Sequence, residues 1–237
     1  MGNTSHSFTK AADKIAFDVK HRNTIKFNIS RYDTAVAKGM ARYKNVELAK
    51  TSAAGIKRDV LLNWSKYLLE FEKNISARGV EVFWAKDSDE ATAFIKQTLT
   101  DNKARLLVKS KSMTTEEIEL NHTAESIGCE SVETDLGEFI VQVAGVRPYH
   151  IVTPAMHKSK GDIAKLFNEK FNTSINSTPE EMTEYVRQVL RKKYTLAEVG
   201  VTGANFLIAD IGGISVTENE GNGLMTTAFP KLHIVIA

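Results

Sequence analysis

The residues best suited to chemistry in this chain lie in VKSKSMTTEEIELN, residues 108–121. A predicted strand ends near Lys109, a polar turn follows, and Thr114 with Glu117 forms a T-x-x-E capping box that predicts the start of a helix. Free backbone amides, two lysines and two hydroxyls at the carboxyl end of a sheet strand favour an anion site. Its candidate ligands are Lys109, Ser110, Lys111 and Ser112. A well-capped helix with solvated lysines explains the same residues, and on these residues alone it is the favoured interpretation.

A second helix start follows in ETDLGEFIVQ, residues 133–142. Asp135 and Glu138 form a D-x-x-E pair, and either carboxyl group suits general acid or base catalysis. A helix cap accounts for both without catalysis, and it is the favoured interpretation. His157 is placed at the same mouth, but His150 and His157 lack a carboxylate at metal-site spacing and are not predicted to ligate a metal.

GVTGANFLIADIGGISVTENEGNG, residues 200–223, combines glycines with amide and carboxyl side chains. Its glycines allow tight turns or close approach of the backbone to a ligand. A β-hairpin with ordinary turns explains the glycines equally well, but it explains less well why polar loops meet the upstream lysines. The candidate ligand residues here are Thr202, Gly203, Asn205, Asn219, Glu220, Gly221 and Asn222.

The elements that position these residues follow from hydrophobic periodicity. Apolar residues at three- and four-residue steps predict a long helix over 54–77. Short β-rich runs at 80–85, 105–110, 129–133 and 150–154 alternate with amphipathic stretches, and helix returns over 161–193, with Pro179 in a first turn. Glycine-punctuated strands without an intervening helix are predicted from residue 196. This alternation predicts an α/β fold, a mostly parallel doubly wound sheet with helices on both faces.

The domain organisation is predicted as a helical N-terminal arm over 1–50 and a main domain over 51–237. A net charge of +2 without a basic stripe argues against nucleic acid, and no apolar run is long enough to span a membrane. The single cysteine excludes an intrachain disulfide and a cysteine-ligated metal within these residues, and it favours the reducing cytoplasm. An oligomer remains compatible with the composition.

Several blocks in fixed order resemble the lactate-utilisation (LUD) domain family, and especially the iron-sulfur subunits of bacterial L-lactate oxidation complexes. These blocks, within a match from about residue 30 to the end, are SKSMTTEEIELN, ETDLGEFIVQ, RPYHIVTPAMHK, GVTGANFLIADIGGISVTENEGNG and FPKLHIVIA. The resemblance implies a fold similar to ribose-phosphate isomerase, glucosamine-phosphate deaminase and CoA transferases. It also implies a part in oxidising L-lactate to pyruvate.

The sequence departs from these subunits in one respect. The resemblance implies a ferredoxin-like part that holds two [4Fe-4S] clusters through cysteines, and those cysteines are absent from these 237 residues. No cofactor is therefore expected in this chain. The strand-like ending KLHIVIA favours a LUD domain cut from a longer protein, and a short relative with another role is the alternative.

Three functions are compatible with these observations. The first is a domain of a lactate-oxidising complex that binds a small anion such as lactate, or docks the cluster-bearing part, beside other lactate-utilisation subunits. The second is a stand-alone acyl-transferase, CoA-transferase-like or sugar-phosphate-type enzyme that uses Glu218 or Glu220, in a glycine-flanked loop, as its nucleophile. The third is a structural scaffold that binds partner subunits through the arm.

Overall fold

The computed structural model describes residues 2–218 and 220–237, with side chains from residue 7 onward. The chain begins with four helices, α1 Gly2–Ala16, α2 Val19–Met40, α3 Val46–Leu62 and α4 Trp64–Ser76. The helical character predicted for the arm is therefore present. The single helix predicted over 54–77 is wrong, because Asn63 leaves helical geometry and separates α3 from α4.

The remaining elements alternate helix and strand. They are α5 Ser88–Asp101, β1 Leu106–Lys109, α6 Met113–Glu117, α7 Leu120–Glu125, β2 Glu130–Glu133, α8 Leu136–Ala144, α9 Lys160–Phe171, α10 Pro179–Leu196, β3 Val199–Gly203, β4 Phe206–Ile208, β5 Gly213–Ser215, α11 Asn222–Ala228 and β6 Leu232–Ile236. Pro179 opens α10 as predicted, after Thr178 as N-cap in a capping box with Glu181.

The main sheet is four-stranded and parallel throughout, in the order β2-β1-β3-β6. In its register Leu107 pairs with Ser131 on one side and with Val199 on the other. The mostly parallel sheet predicted from the sequence is confirmed. The glycine-rich region adds a separate antiparallel pair, β4 with β5.

Helices cover both faces of the main sheet, because alternate strand residues point to opposite sides. On one face, Leu106, Val108 and Val132 pack under α8, α9 and α10, around Phe139, Phe167 and Val186 among others. On the other face, Leu107, Val199 and Val201 pack against α5 and α7. We call these the α10 face and the α5 face.

Two predicted strands are wrong. Residues 80–85 form no strand, and Phe83 instead stacks on Phe94 of α5 with ring centroids 4.1 Å apart. Residues 150–154 form bends and turns, because His150 Nδ1 accepts from the Val152 amide and Pro154 has no amide to donate. The expected lack of a helix after residue 196 is also wrong, since α11 connects β5 to β6.

Side-chain hydrogen bonds fasten the peripheral elements to the α/β core. In the arm, Asn28 donates to the Met156 carbonyl at 2.9 Å, and the His21 ring nitrogen lies 3.0 Å from the Tyr149 hydroxyl. Asn74 and Arg78 of the α4 region donate to carbonyls of residues 209–211 in the turn between β4 and β5. No helix in the described part of the chain is both long and apolar enough to cross a membrane.

Candidate functional site

The candidate site is the carboxyl edge, the line where β1, β2 and β3 end, at residues 109–112, 133–136 and 203–205. Two helices start there. Asp135 accepts from the Glu138 amide at 3.1 Å and caps α8, as predicted. The cap predicted for the Glu138 side chain is wrong, because this carboxyl group is buried and does not bond to the backbone at the start of α8. The cap predicted at Thr114 is wrong, because the Ser112 hydroxyl already accepts from the Thr115 amide and starts α6 two residues earlier.

Lys109 lies inside the protein rather than at its surface. Its side chain is 0% exposed, and its Nζ lies 2.5 Å from Glu116 Oε1 and 2.7 Å from Glu133 Oε1. Burial by itself lowers the Lys109 pKa, but the Glu133 carboxylate and then the Glu116 carboxylate outweigh it and raise that pKa. Lys109 is therefore a permanent cation whose charge is already matched by two carboxylates.

A third carboxyl group completes this cluster. Glu138 on α8 is 2% exposed, and burial, followed by the charge of Glu133, raises its pKa to about 9. It is protonated at neutral pH. Apart from the bond that this proton makes between Glu138 and Glu133, no described residue donates to either Glu138 oxygen or to Glu133 Oε2. We call Lys109, Glu116, Glu133 and Glu138 the carboxyl cluster.

Lys111 lies at the mouth of the edge. Its Nζ donates to the Val152 carbonyl at 2.6 Å and lies 3.9 Å from Asp135 Oδ2. Glu220 reaches the same place, where its carboxylate accepts from the Leu136 amide at 3.3 Å, at the start of α8. Burial, followed by the charge of Asp135, raises the Glu220 pKa. The hydrogen bond from the Leu136 amide and the positive charge of Lys111 each lower that pKa, but by less.

The other loop glutamate caps a helix. The Glu218 carboxylate accepts from the amides of Gly223 and Leu224, the latter at 3.1 Å, at the start of α11. Two helix N-termini at the carboxyl edge thus each receive a carboxylate from the loop between β5 and α11.

Buried hydroxyl groups lie beneath this mouth on the α10 face. Ser110 lies two residues after Val108 and therefore on the same face of the sheet. Tyr194 belongs to α10 and Thr226 to α11. Within the described residues, none of their hydroxyls has a partner in full hydrogen-bond geometry, although the Thr134 and Thr226 hydroxyls lie near that of Tyr194. Burial raises the Tyr194 pKa, and the nearby Thr134 and Thr226 hydroxyls oppose that rise. These groups offer donors to a small polar ligand.

The other predicted ligand residues have mainly structural contacts. Thr202 is fully buried with its hydroxyl 2.9 Å from His233 Nε2, and a Cβ on Gly203 would lie 2.8 Å from the Ser112 hydroxyl. Asn205 accepts from the Thr217 amide at 2.7 Å.

The remaining predicted ligand residues that the structure describes lie either near the start of α11 or in the turn before α9. Gly221 has a φ of 77° before α11, and Asn222 is buried in its first turn. His157 packs on Tyr149, and burial lowers its pKa. Asn219 lies outside the described residues.

Sequence reasoning missed Glu116, Glu133, Tyr194 and Thr226. Glu133 could have been found from the sequence, because a carboxylate at the end of a buried strand, directly after the apolar Val132, needs a positively charged or hydrogen-bonding partner. Tyr194 and Thr226 carried none, since their place depends on how α10 and α11 pack on the sheet.

The residues present do not fit an iron-sulfur cluster. Such a cluster needs several cysteine thiolates, and Cys129 is alone, fully buried on the α5 face, with its pKa raised by burial to about 11. Across residues 2–218 and 220–237, no group of three or more His, Cys, Asp or Glu side chains is suited to hold a metal ion.

Comparison with known proteins assigns the family. The LUD domain profile matches residues 68–237, which include every strand and the whole carboxyl edge. The chain belongs to the LUD domain family. Because the match starts within α4, the LUD domain region comprises the α/β core and the β4–β5 pair.

Two curated relatives of this LUD domain chain are both named lactate utilization protein B. The Bacillus pumilus protein is 47% identical over 182 residues, covering 76% of this chain and 38% of the relative. The Lysinibacillus sphaericus protein is 41% identical over 215 residues, covering 86% of this chain and 45% of the relative. The chain thus spans less than half the length of these relatives. No solved structure matches it significantly.

Proposed function

We propose that this LUD domain binds a small carboxylate, L-lactate, at the carboxyl edge and serves the oxidation of lactate to pyruvate in a cytoplasmic multi-protein system. The relatives named lactate utilization protein B support the lactate role. In this proposal the electrons pass to [4Fe-4S] clusters held outside these 237 residues, since one buried thiol is unsuited to ligate them.

The position of the Glu220 carboxylate is the observation that carries this proposal. It accepts a hydrogen bond from the Leu136 amide at the start of α8, beside Lys111. The raised pKa of Glu220 indicates that a negative charge at this place is poorly compensated. Glu220 occupies the place that a ligand carboxylate would take. The dipole of α8 and the Lys111 ammonium favour an anion there.

The hydroxyl of lactate has partners close by in the proposed pose. The unpartnered hydroxyls of Ser110, Tyr194 and Thr226 lie under the same edge, and each both donates and accepts. A buried hydroxyl without a partner costs free energy, so a ligand hydroxyl that pairs with one of them gains that energy back. The residues thus divide between holding the carboxylate and orienting the alcohol.

Isothermal titration of the purified chain with L-lactate tests this function. Lys111→Ala should weaken binding by at least about tenfold, because a charge-assisted hydrogen bond is lost. Glu220→Gln should strengthen it about two- to fivefold, because the competing carboxylate at the helix N-terminus becomes neutral. Lys165→Ala is the matched control, since this exposed lysine pairs only with Glu169 along α9. Equal affinities in all four proteins, or no binding to any, would refute the proposal.

A further inference from the structure

The carboxyl cluster borders a small, partly open space of its own. A cavity of about 70 Å³ lies between α6, β2 and α8, and its polar lining comes from Glu116, Asn121, Glu133, Glu138 and Gln142. It adjoins a wider surface groove of about 650 Å³, with which it shares Glu116, Asn121 and Pro148. A small molecule in the groove therefore has a route to the cluster.

The nitrogen donors around this cavity each bond to an acceptor other than the free carboxyl oxygens. Lys109 Nζ donates to Glu116 and Glu133, and Asn121 Nδ2 donates to Glu133 Oε1 at 2.8 Å. Gln142 Nε2 donates to the Ser131 carbonyl at 2.8 Å. The three oxygens without a partner, Glu133 Oε2 and both of Glu138, are acceptors. None of these three nitrogens donates to Glu133 Oε2 or to either Glu138 oxygen.

The charged groups around the cavity also carry a net negative charge when all are ionised. With all groups ionised, Glu116, Glu133 and Glu138 outnumber the single ammonium of Lys109, and Asp135 adds another carboxylate at the start of α8. One proton on Glu138 lowers the negative charge and lets Glu138 donate to Glu133, but one oxygen of Glu138 is still without a donor. A cation with several N–H bonds can donate to more of these carboxyl oxygens than a single proton can.

We propose that this cavity binds a primary ammonium group, whose three N–H bonds match the three unpartnered carboxyl oxygens of Glu133 and Glu138. An ammonium suits the site better than a metal ion, because the described residues include no group of side chains suited to a metal. Its small volume suits ammonium or a short alkylamine whose alkyl group extends toward the groove. When the amine binds, Glu138 releases its proton to solvent, so proton and amine compete for one place.

Methylammonium chloride is the probe, with tetramethylammonium chloride as a cation that has no N–H bond. Methylammonium should bind the whole chain, bind more tightly as the pH rises from 6 to 9, and release a proton measurable by calorimetry in buffers of different ionisation enthalpy. Glu138→Gln should weaken binding at least about tenfold, because the acceptor loses its charge. This variant resembles the protonated side chain in size and charge, so folding is retained.

The matched control is Glu125→Gln, an exposed glutamate on the neighbouring α7. It should leave methylammonium binding unchanged. Equal binding of methylammonium and tetramethylammonium, equal affinity in Glu138→Gln, or no binding at all would overturn the proposal and leave a cavity that holds water only. None of these outcomes depends on lactate, because none of its proposed ligands lines this cavity.

Discussion

Lys109 Nζ lies 2.7 Å from Glu133 Oε1, and the two side chains are 0% and 4% exposed. They face each other across paired strands, since Lys109 and Glu133 are register partners of β1 and β2. In an ion pair this deeply buried, each charge is stabilised by the other, because water cannot reach either side chain to solvate it. The pair thus links the two strands at the carboxyl edge.

Removing the ammonium should destabilise the fold strongly. Lys109→Met leaves Glu133 buried without its cation, and we expect a loss of about 3–5 kcal/mol in the free energy of unfolding. Urea denaturation measures it. Lys193→Ala is the control, because the Lys193–Glu130 pair is partly exposed and should contribute about 1 kcal/mol or less. Similar losses in the two variants would contradict the role of burial.

Raising the pH should weaken the protein through Glu138. Its pKa rises from 4.5 to about 9 on folding, so between these values the folded state keeps a proton that the unfolded state has released. Its contribution to stability is complete below about pH 4.5 and is lost as the pH rises toward 9. Glu138→Gln has no proton to lose there. The stability difference between wild type and Glu138→Gln, measured by denaturation at pH 5, 7 and 9, should therefore shift steadily in favour of the variant.

Gly200 should tolerate no side chain. A Cβ at this β3 position would lie 2.0 Å from the Thr226 carbonyl oxygen, so Gly200→Ala has to push α11 off the sheet. We expect a loss of roughly 3 kcal/mol. Gly55→Ala is the control, because nothing lies within 4 Å of its Cβ position in α3, and it should stabilise the chain by about 0.5–1 kcal/mol. Thermal denaturation compares the two.

Cys129 should be inert in the folded protein. Its thiol is fully buried and its pKa of about 11 leaves about a thousandth as thiolate at pH 8, the form that reacts with disulfide reagents. One thiol per chain should react with 5,5′-dithiobis(2-nitrobenzoate) only after unfolding in guanidinium. Rapid reaction of the native chain would contradict the buried position.

The sequence predicted most of what depends on local patterns. The parallel sheet followed from β-rich runs between amphipathic stretches, and the cap at Asp135 and the first-turn position of Pro179 followed from local sequence. Residues 80–85 have the composition of a strand, but they pack beside α5 instead of pairing, which composition does not encode. Lys109 was predicted to face a ligand. Its enclosure by Glu116 and Glu133 required the register of β1 with β2 and the path of α6.

The strand order also sets the timing of folding during synthesis. The central strand β1 pairs with β3, whose Val199 follows Leu107 by 92 residues. At 5–20 residues per second, the ribosome delivers that partner roughly 5–18 s later. Until then one edge of β1 has no strand beside it, and an open hydrophobic edge is prone to aggregate with other chains. A nascent chain of this protein therefore depends on α5, α7 and α8 to shield β1, or on a chaperone, during the seconds before β3 emerges.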